Sequence, residues 1–457
     1  MEQSAHQVPI FVTIIFTVLL VAVILCLALE EKIHAQKSLI VGIAAVFSLF
    51  LGQYFHLLPI GFLINVFSEK LNIPVFIQGI DWSVITIMLG SGVFVDVISK
   101  SGLFTWIAIK LTKKSKGDPL VLLVYYGLMT VVFSAVLNNV TAMIIVGSLS
   151  TVSLTKLEKL DKLLGFLIIE GLLTNVGGLL TLISSVPNII VGQSAGISFI
   201  KFFLVAGPYV LIATIVTIFM GARIFNINKL SNEEEINEAV LKVSGFDEND
   251  GIESWGFFKF GIVMTILFIL VIATTSVLPV IKDLGMGYVA MGFAAIALIR
   301  YKSETDKFYK SIDWDLIGFF IALFVLINVM EHAQVLNMIG NFLTKVIDLG
   351  PKAGVASVLF GSAIFSSVTD NIPLAAMLAK ILVGLKTASD SNLWWAVIFG
   401  ANLGGNITPI GSASTLVAVT IIHKNKLNLS FMGFVKASAI FATVQLILAC
   451  IYVLVFI

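Results

Sequence analysis

Residues 119–150 read PLVLLVYYGLMTVVFSAVLNNVTAMIIVGSLS, a run of 32 residues with no charged side chain. Basic clusters flank it, with Lys110, Lys113, Lys114 and Lys116 before it and Lys156, Lys159 and Lys162 after it. A single crossing would put one cluster outside, against the tendency of Lys and Arg to stay on the cytoplasmic side. A segment that enters and returns keeps both inside. The polar group towards its middle, Asn138, Asn139 and Thr141, then becomes the tip of a re-entrant hairpin. Each arm of about 15 residues reaches roughly 22 Å at 1.5 Å per residue, which sets the tip near or beyond mid-membrane.

Residues 352–385 read as a second hairpin, entering from the outside, with Thr369, Asp370 and Asn371 at its tip before Pro373. The two hairpins belong to a repeat. Asp81-Trp82 recurs as Asp313-Trp314, FSAVLNN (133–139) as FSSVTDN (365–371) and Ser198-Phe199 as Ser430-Phe431, each 232 positions on. TNVGGLLT (174–181) recurs as ANLGGNIT (401–408), 227 positions on. Apolar segments match one another by chance, so the ordered return of polar and glycine landmarks carries the argument. Asp81 falls outside and Asp313 inside, so the repeats are inverted, the arrangement secondary transporters use for alternating access.

The rest of the chain fits this frame. Of 457 residues, 58% are hydrophobic and 12% charged, against about 25% charged in soluble domains. The predicted fold is an all-α polytopic membrane protein with two inverted repeats, re-entrant hairpins and broken transmembrane helices. Ten crossings are predicted, at 8–29, 38–56, 82–98, 163–192, 200–222, 256–275, 283–300, 314–331, 394–423 and 431–456, with 57–80 at the interface or in a loop. The units are N-terminal helices over 1–80, repeat 1 over 81–222, a cytoplasmic linker over 223–255, connecting helices over 256–312 and repeat 2 over 313–457. Lys32, Lys37, Arg223, Lys229, Arg300, Lys302, Lys307, Lys310, Lys424 and Lys426 fall inside; Lys70, Lys345, Lys352 and Lys386 are scattered outside. Both termini fall outside. The first apolar run lacks a basic flank before it and a small-residue cleavage site after it, so it reads as a spanning helix rather than a signal peptide. A net charge of +1 points to no nucleic-acid partner. Cys26 and Cys450 have neither metal-site nor disulfide spacing.

Polar breaks at membrane depth must line a cavity or be buried in protein, because lipid leaves backbone groups unpaired. Four breaks can be named. Two are the hairpin tips. The third runs from Gly177-Gly178 through Thr181 to Ser184-Ser185-Val186-Pro187-Asn188, and the fourth from Gly404-Gly405-Asn406 through Thr408-Pro409 to Gly411-Ser412-Ala413-Ser414-Thr415. Glycine permits the turn, proline suits a helix start, and Ser, Thr, Asn and Asp cap helices. Freed carbonyls and hydroxyls suit a cation such as sodium, while half-helix N-termini suit an anion. Asn138, Asn139, Thr141, Ser184, Ser185 and Asn188 make one candidate site. Thr369, Asp370, Asn371, Thr408, Ser412, Ser414 and Thr415 make its symmetry mate. Sodium is placed at Asn139 and Ser184, and at Asp370, Asn371 and Ser412. The alternative is that these side chains only hydrogen-bond between packed helices. Asp370 is an ionisable group at membrane depth, expected to bind the coupling cation or carry a proton. Its alternative role is a buried acid in a structural ion pair. Lys380, the nearest base in sequence, lies roughly 15 Å away along a helix. Glu170 is a candidate proton relay or an inter-helix bond; Asp96 and Glu331 read as interfacial.

The hairpin tips, VGG…PNII (176–190), DNIPL (370–374) and GGNITPIGSAS (404–414) resemble the ion transporter superfamily. That group includes ArsB-type arsenite permeases, the P-protein family, NhaD-type sodium/proton antiporters and divalent anion/sodium symporters. DNIPL looks most like the NhaD type, the other two segments like the P-protein and ArsB types. The resemblance implies two scaffold-and-transport repeats around a mid-membrane site. Relatives often carry Asp-Asn at Asn138-Asn139 and Gly-Asp-Pro-Pro-Asn at 184–188, so two acids are absent from the first half. The Ser-Asn-Thr signature of dicarboxylate symporters is missing, and no arginine lies near the site.

The expected function is ion-coupled secondary transport, by sodium/proton exchange or efflux of an inorganic solute such as arsenite. The alternative is sodium-coupled uptake of an organic anion such as a carboxylate, with a channel behind it. No cofactor is expected, and the coupling ion is sodium or a proton. The expected partners are a small ionic solute and the bilayer of a bacterial or archaeal plasma membrane, with homodimerisation left open. No HExxH, GxSxG or Cys–His pairing suggests an enzyme.

Overall fold

The computed structural model describes residues 8–65, 67–301 and 305–457. Lys302 and the N-terminal residues 1–7, both used in the orientation argument, lie outside the described residues, as does the side chain of Lys32. The first part of the chain forms α1 (Ile10–Ala28), α2 (Glu30–Ile33), α3 (Lys37–Tyr54) and α4 (Val75–Gln78), with a two-stranded hairpin of β1 (Leu63–Ile64) and β2 (Lys70–Leu71). Then come α5 (Trp82–Ser99), α6 (Leu103–Lys114), α7 (Pro119–Val136), α8 (Asn139–Lys156), α9 (Leu163–Gly177), α10 (Val186–Ser194) and α11 (Phe199–Ile224). The polar stretch carries α12 (Glu233–Ser244), followed by α13 (Trp255–Thr274), α14 (Ile281–Arg300) and α15 (Thr305–Ser311). The last part is α16 (Trp314–His332), α17 (Val335–Ile347), α18 (Pro351–Val368), α19 (Asn371–Gly384), α20 (Asn392–Gly404), α21 (Ala413–Lys424) and α22 (Phe431–Val455).

Among the described residues, ten helices are long and apolar enough to cross a membrane. Eight coincide with predicted crossings. The other two are α7 and α18, the first arms of the predicted hairpins. The predicted crossings 163–192 and 394–423 are instead each divided, into α9 and α10 and into α20 and α21. Outward faces carry bare apolar side chains such as Ile43, Val46 and Phe50 of α3 and Leu204, Leu211 and Ile215 of α11, as lipid requires and water does not allow over so large an area.

The run 119–150 turns back on itself. Tyr126 of α7 bonds Ser153 of α8 at 2.8 Å and Thr112 of α6 at 2.6 Å. A straight helix would part residues 126 and 153 by about 40 Å. Both basic flanks reach one polar segment: Lys113 pairs with Glu248 at 2.5 Å, and Glu158 with Lys242 at 3.0 Å. The hydrogen bond from Lys113 holds the Glu248 carboxyl below its usual range. The arms are longer than expected. At 18 residues, α7 reaches about 27 Å. In the second pair, α18 and α19 both pack against α17 and α20. Two short helices not anticipated from the sequence, α6 and α17, lead into the two pairs. Each starts after a left-handed residue, Gly102 (φ 80°) and Gln334 (φ 63°), 232 positions apart. Only glycine fits at 102, where a Cβ would overlap the carbonyl of Gly251.

Beside these pairs stand two long helix contacts, α5 along α14 and α3 along α16. Ser38 at the start of α3 binds Asp315 of α16 through both its amide (3.3 Å) and its hydroxyl. The start of α3 is therefore fixed to α16, which matters for the residue just before Ser38.

Candidate functional site

Each chain break creates a helix start, and four starts converge. Asn138 caps α8 by accepting from the Thr141 amide at 2.8 Å, Asp370 caps α19 through Ile372 at 3.1 Å, and Ser412 caps α21 through Thr415 at 3.3 Å. The fourth start is α10 at Ser185, whose hydroxyl instead donates to Asn402 at 2.7 Å. First-turn residues of all four helices line one cavity of about 340 Å³. Positive helix ends thus face a shared space.

The two breaks are built alike. Thr181 donates to the Ala135 carbonyl at 2.6 Å, and Thr408 to that of Ser367 at 2.5 Å. Ser134 donates to the Thr174 carbonyl at 2.6 Å, and Ser366 to that of Ala401 at 2.6 Å. Two further bonds cross between the halves: Ser185 to Asn402 at 2.7 Å, and Asn175 to Ser412 at 2.9 Å. Every one of these residues is matched by its repeat counterpart. Gly177 lets α9 approach α7 closely, since a Cβ there would lie 2.7 Å from the Val131 backbone.

Within the breaks, the equivalence fails at Asn188 and Thr415. Asn188 donates its two amide protons to the carbonyls of Gly178 (2.6 Å) and Thr181 (3.0 Å). Its counterpart Thr415 has one hydroxyl proton among the carbonyls of Ser412 (2.8 Å), Pro409 (3.1 Å), Gly405 (3.4 Å) and Thr408 (3.5 Å). One proton serves one of these well. The second break is therefore the more electron-rich.

The cavity takes in Asn138, Asn139, Thr141, Ser184, Ser185, Asp370, Asn371, Ser412 and Ser414, drawn from all four breaks. Asn188, Thr369, Thr408 and Thr415 do not line it. Thr369 bonds back to Phe365 at 2.9 Å, and the other three tie the freed carbonyls. Nor is Asn139 unengaged, since its Oδ1 lies 2.7 Å from the Ser134 hydroxyl, which it shares with the Thr174 carbonyl, and its Nδ2 donates to Asn175 at 3.3 Å. The Ser184 hydroxyl has its one proton between the Gly178 and Thr181 carbonyls, at 2.6 and 2.8 Å.

The ion pair that was the alternative for Asp370 is present, and the place expected for Asp96 changes. Asp370 has a partner base: Lys37 lies 2.5 Å from its Oδ2, and Glu30 lies 3.6 Å from the same ammonium. Lys380 instead pairs with Glu331 at 3.3 Å. Asp96, expected at the interface, lines the cavity, as does Asp313. Facing the cavity are therefore the acids Asp96, Asp313 and Asp370 and the base Lys37, with no arginine among the described lining residues. Sequence reasoning also missed Asn175, although its place in the repeated TNVGG segment marked it. Glu170 lies apart, fully buried, with one oxygen accepting from Ser150 and the other without a hydrogen bond.

A polytopic helical protein with broken helices enclosing a polar cavity is built as a membrane transporter. The chain belongs to the CitMHS citrate transporter family, whose profile matches residues 25–400. The 46 kDa membrane protein of Mycobacterium leprae is 30% identical over 381 residues, 82% of this chain and 86% of its own. The human P protein is 24% identical over 448 residues, 81% of this chain and 53% of its own. The crystal structure of the Alcanivorax borkumensis YdaH transporter shares the fold, with a TM-score of 0.61 at 12% identity, over 92% of this chain and 98% of that one. The resemblance to the ion transporter superfamily therefore stands.

Proposed function

We propose that this chain is an ion-coupled secondary active transporter of a bacterial or archaeal plasma membrane, working by alternating access of one cavity. The carrying observation is that both hairpin tips and both helix breaks line a single space of about 340 Å³ together with Asp370. The matched hydrogen bonds of the two halves support an inverted repeat, and the return of 119–150 to one polar segment supports a re-entrant hairpin. Sodium or a proton is the coupling ion. Its place is the second half, where Asp370 and Asn371 face the cavity and Thr415 leaves carbonyl oxygens underserved. Glu170, with a buried oxygen lacking a hydrogen bond, serves as a proton relay.

For the solute, exchange of sodium for protons, or efflux of an inorganic solute of the arsenite type, fits a cavity with three acids and one base. Sodium-coupled carboxylate uptake is the second reading. It is favoured by the family's description and by four helix N-termini that could hold an anion, and opposed by the lack of an arginine.

The test is flux in proteoliposomes under imposed sodium, lithium and proton gradients, with arsenite and di- and tricarboxylates compared. Gradient-driven flux that Asp370→Asn abolishes while the protein stays folded is expected. Full flux by that variant, with unchanged pH dependence, refutes the coupling role. Single-channel currents would replace the transporter reading with a channel.

A further inference from the structure

We propose that Lys37 is a tethered competitor for the coupling cation, which must lift the lysine ammonium off Asp370 before it can bind. This rests on reading Asp370 as the coupling-cation ligand.

Both carboxylate oxygens of Asp370 are engaged. Oδ1 accepts the Ile372 amide at 3.1 Å, capping α19, and Oδ2 takes the Lys37 ammonium at 2.5 Å. The cap is part of the tip, so Oδ2, the oxygen that the ammonium covers, is the one an incoming cation can take without disturbing the tip. The two side chains are 26% and 13% exposed, so the pair is shielded from solvent and screened little by salt.

The partners come from different parts of the protein. Asp370 sits on the hairpin tip, whereas Lys37 begins α3, whose next residue is clamped to Asp315 of α16. Breaking the pair therefore removes the tie between the tip and the start of α3, while α19 keeps its Lys380–Glu331 pair to α16. Lys37 and Asp370 also line a second, smaller cavity of about 170 Å³ with Glu30 and Thr369. The pair thus stands in the wall between two cavities, where one cation could reach it from the larger side.

Glu30 makes the exchange affordable. A buried ammonium stripped of its partner is strongly destabilised. Glu30 Oε1 already lies 3.6 Å from the Lys37 nitrogen, so the released ammonium keeps an acceptor. The first hairpin lacks the acid: the position equivalent to Asp370 is the neutral Asn138.

A competitor reduces apparent affinity by the fraction of time it occupies the site. Purified full-length protein would be titrated with sodium, lithium and protons, following the melting temperature. Lys37→Gln is expected to lower the sodium concentration or proton activity at half-effect at least about tenfold. Lys37→Arg keeps the wild-type midpoint within a few-fold, and Glu30→Gln moves it the opposite way, because the ammonium then has only Asp370. Equal midpoints for the wild type and Lys37→Gln, or no response of either protein to any cation, overturn the proposal. If Lys37→Gln does not fold, the Glu30→Gln shift decides by itself, and a shift to lower concentration refutes. Gradient-driven flux separates the two claims. Competition in the titration without flux of any tested solute leaves Lys37 as inferred and removes the transport reading. Coupled flux without competition does the reverse.

Discussion

Replacing Asn402 by alanine tests the seam between the halves. Its side chain is fully buried. It donates to Asn188 Oδ1 at 2.9 Å and to the Ile398 carbonyl at 2.8 Å, and accepts from Ser185 at 2.7 Å. The Ile398 bond is local to α20 and adds little. The other two cross from one half to the other. Inter-helix hydrogen bonds in membranes average about 0.6 kcal/mol and reach about 1.7. Alanine also leaves the Ser185 hydroxyl and the Asn188 carbonyl short of a partner in a dry site, at about 1–3 kcal/mol for each group left unsatisfied. Because Asn188 keeps both of its donated bonds, the expected loss is about 2–4 kcal/mol rather than the full sum. The assay is SDS-induced unfolding of the purified protein in mixed micelles, read by tryptophan fluorescence, since Trp394 and Trp395 are buried on the same helix. A cycle with Ser185→Ala should give a coupling of about 1 kcal/mol. A loss below about 0.5 kcal/mol, the size of an indifferent surface change, would refute the idea that these side chains hold the halves together.

Other outcomes follow from the same contacts. Gly177→Val should destabilise by about 1–3 kcal/mol through forced separation of α9 and α7, and Gly404→Val should match it, because a Cβ there meets Ala363 and Ser366 just as one at 177 meets Val131 and Ser134; unfolding titrations check both. Glu170→Gln should keep the Ser150 bond and the fold, while removing the pH dependence of flux; an unchanged pH profile would reduce Glu170 to a packing role. Lys113→Ala should leave flux intact but remove a pH-dependent tie. Because the Glu248 carboxyl is held below its ordinary 4.5, the tie is present above about that pH and is lost as acid titrates through the lower folded value. Melting curves of wild type and variant should therefore converge in acid and differ at neutral pH.

Much of the architecture was legible because lipid penalises unpaired backbone so heavily. A polar cluster such as Asn138-Asn139 inside an apolar run has few physical explanations, and its return at Asp370-Asn371 narrows them further. The flanking lysines then suggested the turn of 119–150, and Lys113 before it and Glu158 after it both reach the polar segment 223–255. Other features left no such trace. α6 and α17 are short and carry lysines, so they blend into the loops in a hydropathy reading. Lys37 and Asp370 are 333 positions apart, and no periodicity connects them. Asn188, Thr408 and Thr415 were assigned to the cavity because side chains that bind ions are the same ones that satisfy freed carbonyls. Only the geometry divides those two roles, and it gives these three to the backbone.

Whether one site serves both halves can be measured by solute protection. With Cys26 and Cys450, both free thiols, replaced by serine, single cysteines at Asn139 and Asn371 would be labelled with a membrane-impermeant thiol reagent while the transported solute is titrated. Protection of both positions at one common half-saturating concentration is the predicted result. Protection of only one of them, or of neither, in vesicles that still carry out coupled flux would contradict the account.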